Sequence, residues 1–346
     1  MNLIETTKNL IEINSVTGSE EDVIQFIKNE LTSSGFKGKI LEEEGGLVAI
    51  PESSSSRIAL VGHVDTVPIS DSQIASEDED LIFGRGSVDM KSGVALIMKS
   101  LLESPENIVG VFYTGEEGPY EENGLNSLLP VLMKEQDFEF SIILEPTDCE
   151  IQLGCLGALN ASLVIRGKSA HSARPWMGEN PIYKLNEVID FVSKNEIKPV
   201  VVDGLEFKEI LSITQIHSGV ANNVIPEVSK LNINFRFSPE FSKEEASQYI
   251  VDNFSRFGDI EIDNVSFGAM PNRDNPMVSK FISSTEAEVF PKQAWTDVAR
   301  FNDAGIPSIN FGPGDPLFAH TSNEQVSKKQ ILESYELLHK FLKDFK

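Results

Sequence analysis

The chain has 346 residues, 40% of them hydrophobic, and carries 54 acidic against 29 basic side chains for a formal net charge of −25. That length suits two domains with a sizeable core, and the acidic excess would repel a polyphosphate, which argues against a nucleic acid partner. No apolar run approaches the roughly 18 residues of a membrane span. The amphipathic, partly acidic start MNLIETTKNLIEI is unlike a basic cleavable signal, and Cys149 and Cys155 alone cannot build a disulfide framework. A cytoplasmic globular protein with two buried thiols is expected.

In chain order, Ser19 is placed to cap a helix in which Val23, Phe26, Ile27 and Leu31 recur at helical spacing until Gly35 ends it. Residues 47–50 and 58–61 read as strands, 93–102 as a helix, and 108–113 and 141–144 as further strands. The serine run at 53–56 reads as a turn, and the acidic runs around 42–44 and 77–80 as solvated surface. This alternation predicts a mixed, mostly parallel α/β sheet. After Gly157 the texture changes: 159–167, 211–218, 230–238 and 260–267 alternate with period two, separated by helical stretches at 181–192 and 243–257. That β-α-β-β-α-β order is the ferredoxin-like pattern of a small α+β sheet with helices on one face. From Pro276 the first texture returns, with a strand at 306–311 and a C-terminal helix at 328–345. The division expected is an α/β domain, 1–156 and 269–346, interrupted by an inserted α+β domain, 157–268.

The chemistry-bearing residues stand at strand ends and in loops. Residues 58–61 run into GHVDTVP with His63 and Asp65, 109–113 into TGEEG with Glu116 and Glu117, and 142–144 into Glu145 of LEPTD. Asp89 lies in GRGSVDMKSG and His320 in DPLFAHTSNE. Such carboxylates gathered without cations would have to protonate in part, whereas divalent ions remove that cost. Two imidazoles with carboxylate oxygens suit zinc, with cobalt or manganese as possible substitutes. Two such ions about 3.5 to 4 Å apart polarise a carbonyl and activate a water. Adjacent glutamates point in different directions, so one can bind metal while the other serves as general base.

GHVDTVP, GRGSVDMKSG, TGEEG, LEPTD, GKSAHSA and the late AHT loop, in that order, resemble the family of di-zinc amidohydrolases that includes succinyl-diaminopimelate desuccinylase, acetylornithine deacetylase and aminoacylase. The resemblance covers nearly the whole chain. It implies a zinc-peptidase-like catalytic domain with two Zn2+, in which Asp89 bridges the ions, His63 and Glu145 complete one site, and Glu117 and His320 the other. Glu116 would be the base, Asp65 the partner of His63, and the peptide after Asp89 cis. The inserted domain would be a lid and homodimerisation domain. Its His171 would stabilise the oxyanion, from the same chain or from the partner subunit, while Asn223 of ANNVIP and Arg236 of NFRF would contact substrate. HSARPWMGENPIYK, EEGPYEENGL and WTDVARFNDAGIPSINFGPGDP look most like the actinobacterial desuccinylases of this family, which would make the substrate a small N-acyl amino acid, N-succinyl-LL-diaminopimelate first. Arg174 and Arg300 are further candidates for holding its carboxylates.

Ile69 departs from a glycine common in the family. His217 and His339 match no motif and read as structural, and Trp176 and Trp295 suit a core equally well. An acetyl-lysine or acetylornithine deacetylase, or a dipeptidase, is the alternative within the family. A non-catalytic homologue would have lost a ligand or the base, and none is missing. A two-metal phosphohydrolase should show a phosphate cradle, yet no G-x-x-x-x-G-K-[ST] segment occurs.

Overall fold

The computed structural model describes residues 1–52, 58–68, 75–104, 106–135 and 138–344. The serine run at 53–56, Ile69 and Phe345 lie outside the described residues. The chain divides into two compact units.

The first unit comprises Met1–Leu153, Asn272–Phe290 and Arg300–Lys346. Its eight-stranded sheet runs in the order Gly38–Glu43, Gly46–Pro51, Ile108–Tyr113, Ile58–His63, Phe140–Ile143, Ser308–Asn310, Ile151–Leu153, Val289–Pro291. The four strands from Ile108–Tyr113 to Ser308–Asn310 are parallel to their neighbours, and antiparallel strands flank them. Every residue of Ile58–His63, Ile108–Tyr113 and Phe140–Ile143 is buried, which is why they read in the sequence as continuous apolar runs rather than alternating ones. These strands point their carboxyl ends the same way, the end at which an α/β sheet presents its functional side chains.

Several elements depart from the expectations in instructive ways. The N-cap position of the helix Glu21–Ser33 is Glu20, which makes no side-chain cap bond, and not Ser19, whose amide closes a turn on the Val16 carbonyl at 2.8 Å. Its buried face is Val23, Ile24, Ile27 and Leu31, with Phe26 only half-buried. Gly35, at φ 87°, follows its end. The expected strand at 306–311 is shorter, Ser308–Asn310, since the Ile306 amide still bonds Phe301 in the turn that leaves the preceding helix.

The second unit comprises Gly154–Pro271 and Pro291–Ala299. Residues 291–299 group here rather than with the first unit because Trp295 Nε1 donates to the Phe267 carbonyl at 3.1 Å and the Gln293 amide pairs with Glu206 and Lys208 main chain. Its five-stranded antiparallel sheet has the order Lys198–Val202, Leu205–Ser218, Val228–Phe237, Gly157–Arg166, Asp259–Ser266. Pro181–Ser193 and Lys243–Phe254 supply Leu185, Val188, Ala246, Ile250 and Phe254 to its core, opposite Leu159, Leu163, Ile233 and Phe235. Ser242 and Glu245 form a reciprocal cap at the start of the second of these helices. Lys198–Val202 is an edge strand not expected from the sequence. Pro199 disguises it, and proline is tolerated there because an edge strand leaves amides unpaired. Asp203 and Gly204, both at positive φ, turn it into the next strand.

Trp176 is 76% exposed, so it is not a core residue. Cys155 is buried but Cys149 only partly so, and neither forms a disulfide. Burial pushes both thiols up to about 11. No helix among the described residues is long and apolar enough to cross a membrane.

Candidate metal centre

The parallel strands bring the strand-end residues together within the first unit. His63 ends Ile58–His63 and is 1% exposed. Its Nδ1 lies 3.0 Å from the Asp65 main-chain carbonyl. A carbonyl can only accept, so Nδ1 carries a proton, and in the neutral ring Nε2 is then a lone pair. That lone pair faces Asp89 Oδ1 at 3.0 Å and Glu145 Oε1 at 4.0 Å. On the other side of Asp89, Oδ2 lies 3.3 Å from His320 Nε2, which in turn lies 2.8 Å from Glu117 Oε1.

Asp89 therefore turns one oxygen to each histidine. Candidate ligand atoms fall into the groups His63, Asp89, Glu145 and Asp89, Glu117, His320, each within 4.8 Å, and a third group, His63, Glu116, Glu117, places Glu116 beside both. Asp89 sits in the irregular turn Ser87–Lys91, and its peptide bond to Met90 is cis.

The donor set fits divalent cations. Ligands about 2.0 Å from a tetrahedral ion stand about 3.3 Å from one another, close to the 3.0 Å and 3.3 Å by which Asp89 approaches the two imidazoles. Without an ion, protons must take its place. Burial favours a neutral His63, but the carboxylates of Asp65, Asp89 and Glu116 outweigh it and hold the imidazole well above its ordinary pKa. Asp89 and Glu117 push His320 up to about 10. Burial opposes ionisation of Asp89, yet the two imidazoles hold its carboxyl well below the usual range. The cluster demands positive charge between its members.

Asp65 lies beside His63 but meets the ring chiefly through its main chain. Its carboxylate is 3.6 Å from His63 Nδ1, too long for a hydrogen bond; the ring is held by the Asp65 main chain instead. The carboxylate accepts from the amides of Glu116 and Glu117 at 3.1 Å each and from the Thr17 hydroxyl at 2.9 Å. It thus fixes the loop that presents the adjacent glutamates. Thr17 carried no signal in the sequence. Neither did Lys91, which is buried with Nζ donating to the carbonyls of Leu10 and Ile13 at 2.8 and 2.7 Å, nor the buried pair of Arg85 and Glu324.

Arg300 is engaged within the first unit. It is 6% exposed, its guanidinium lies 3.7 Å over the Tyr120 ring and donates to the Tyr120 carbonyl at 2.7 Å and to the Asn126 side chain. These bonds tie it to the segment Tyr120–Asn126.

The remaining candidates belong to the second unit. His171 pairs with Val224 in a two-residue ladder, and the Ser172 amide bonds the Asn223 carbonyl at 3.0 Å, so His171 and Asn223 share one loop pair. His171 is exposed and its Nδ1 accepts from the Ala173 amide at 3.0 Å, which leaves the neutral ring's proton on Nε2. Arg174 is exposed, with its amide bonded to the His171 carbonyl. Arg236 is half-buried, and its Nε donates to Asn234 Oδ1 at 3.2 Å. Of the unassigned residues, His339 stacks on Tyr335 and pairs with Ser104, a structural use, while His217 is exposed.

The model of peptidase family M20/M25/M40 matches residues 59–344, and the chain belongs to that family of metal-dependent hydrolases. A succinyl-diaminopimelate desuccinylase of Corynebacterium glutamicum is 33% identical over 354 residues, covering 99% of this chain and 96% of the relative. Among solved structures, a tripeptidase of Staphylococcus aureus superposes with a TM-score of 0.78 at 21% identity, covering 99% of this chain and 97% of its own. A dinuclear metal-binding M20 peptidase of Bacillus subtilis gives 0.66 at 14% identity over 98% and 96% of the two chains. The fold and the amidohydrolase class anticipated from the motifs are those of this family.

Proposed function

We propose that the protein is a cytoplasmic, di-zinc N-acyl-amino-acid amidohydrolase that releases succinate from N-succinyl-LL-diaminopimelate. The observation that carries this reading is the bridging placement of Asp89 between His63 and His320, with Glu116 alongside. The likeness to a desuccinylase over nearly the full length of both chains adds the substrate. Two Zn2+, with Co2+ or Mn2+ as substitutes, would be held by His63, Asp89 and Glu145 and by Asp89, Glu117 and His320. When bound they would supply Lewis-acid polarisation of the scissile carbonyl and a water of lowered pKa.

The chain's own groups do the rest. Glu116 takes a proton from the attacking water and returns it to the leaving amine, held for that task by the Asp65 carboxylate. His171, with its proton on Nε2, is a donor suited to an oxyanion. Arg236, Arg174 and Asn223 are the donors we assign to substrate carboxylates. A homodimer formed through the second unit is supported by large apolar side chains exposed there, Trp176, Tyr183 and Val220 at 76, 73 and 85%.

Turnover of N-succinyl-LL-diaminopimelate, N-acetylornithine and N-acetyllysine by zinc-loaded protein tests the substrate. The succinylated compound should have the highest kcat/KM, and preference for an acetylated one would replace this reading with the deacetylase alternative.

A further inference from the structure

Glu324 is a buried carboxylate that the reaction does not use, 2% exposed and on the same loop as His320. Its Oε2 accepts from Arg85 Nη1 at 2.5 Å, while Oε1 accepts from the amides of Val88 and Asp89 at 3.2 and 3.3 Å. Its main-chain carbonyl accepts from Gly84 at 3.1 Å, after which Gln325–Ser327 runs antiparallel to Leu81–Phe83. Arg85 is itself 7% exposed, with Nε donating to the Pro68 carbonyl at 3.3 Å.

Stability alone is a poor explanation for such a pair, because apolar residues of similar volume in place of a buried ion pair are often neutral or stabilising. What an apolar pair could not do is accept two main-chain amides at the turn that presents Asp89. The two segments joined here supply Asp89 and His320, which stand 3.3 Å apart although they come from opposite ends of the chain.

We propose that Glu324, clamped by Arg85, is a positioning residue that fixes the Asp89 turn against the His320 loop, so that the two ligands assemble as one unit. Because Asp89 reaches both histidines, loosening this clamp weakens both metal groups and not only the one containing His320. The inference rests on the reading of His63, Asp89, Glu117, Glu145 and His320 as metal ligands.

Metal-free wild type, Glu324→Gln, Arg85→Lys and Leu338→Ala are titrated with Zn2+ against a chelating dye, and their melting is followed by circular dichroism. Groups that orient metal ligands typically contribute about 10- to 100-fold in affinity. Glu324→Gln should lose that much at both sites, and Arg85→Lys less but in the same direction. Leu338→Ala, which truncates a fully buried side chain of the helix Lys328–Asp344, should melt earlier with metal affinities unchanged. Wild-type affinity at both sites in folded Glu324→Gln or Arg85→Lys overturns the proposal, as does an equal loss of affinity in Leu338→Ala. Should Glu324→Gln fail to fold, Arg85→Lys decides alone. A wild type that binds no ion defeats the metal reading itself, a result separable from intact binding in the variants.

Discussion

Replacing Asp65 by asparagine should loosen the loop of Glu116 and Glu117 from the strand end that carries His63. In the native protein one carboxylate oxygen accepts from Glu116, and the other from Glu117 and Thr17. Asparagine keeps one acceptor and turns an NH2 toward the other donor. Converting a charged hydrogen bond to a neutral one costs about 1 kcal/mol, and leaving a buried amide unsatisfied about 1–3, so the loss should be about 2–4 kcal/mol. The main-chain carbonyl that holds His63 Nδ1 is untouched. Urea unfolding of metal-free protein measures the stability, and dye competition measures the two metal affinities.

The expected pattern is a lower unfolding free energy, a reduced kcat, and weaker binding chiefly at the site containing Glu117. The pH dependence has a definite sign. Burial raises the Asp65 pKa, but His63 and the two loop amides outweigh it, and the net shift is downward. Its stabilisation is therefore complete above the unfolded-state value and lost as pH falls through the folded one, so variant and wild type should converge in acid. Native stability and kcat in Asp65→Asn would refute this account. Loss of metal only at the site of His63 and Glu145 would return Asp65 to the role of orienting the imidazole.

Glu116→Gln should keep both ions and lose about 10²- to 10⁴-fold in kcat; mixed with His171→Ala subunits it should regain activity if His171 acts across a dimer, and wild-type kcat in the metal-loaded variant would sink the base assignment. Arg300→Met should destabilise the protein by about 1–3 kcal/mol, by removing the charged hydrogen bonds to Tyr120 and Asn126, whose acceptors can turn to water, with KM unchanged. A rise in KM without loss of stability would restore Arg300 to substrate binding. Because His320 sits near 10 and His63 is raised, metal loading at pH 8 should release protons, the one on His320 first, and tighten as pH rises, since the imidazole ligands must be neutral. Calorimetry in buffers of different ionisation enthalpy counts them, and zero release would show both rings already neutral.

The candidate ligands that end apolar runs, His63 and Glu145, and the adjacent Glu116 and Glu117 stand out in the sequence because a fully buried parallel strand announces both itself and the residue that leaves it. Asp89 and His320 have no such local sign and were placed through their motifs. The support behind them was invisible for a simple reason. Thr17 lies 48 residues from Asp65, and Glu324 lies 239 from Arg85; in a linear chain a glutamate buried against an arginine reads no differently from one in water.

The edge strand Lys198–Val202 was hidden by its proline, and the grouping of 291–299 by bonds to Phe267, Glu206 and Lys208 earlier in the chain. Arg300 shows how little a sequence says about what a guanidinium holds. A guanidinium that holds a substrate and one that holds a loop have the same sequence; burial and partners separate them. At 6% exposure, with donors turned to Tyr120 and Asn126, Arg300 could bind a carboxylate only by giving up hydrogen bonds it already makes within the protein. Arg174 faces no such cost: its side chain is exposed, one turn from His171 and Asn223. We therefore propose Arg174, in addition to Arg236, and not Arg300, for a second substrate carboxylate.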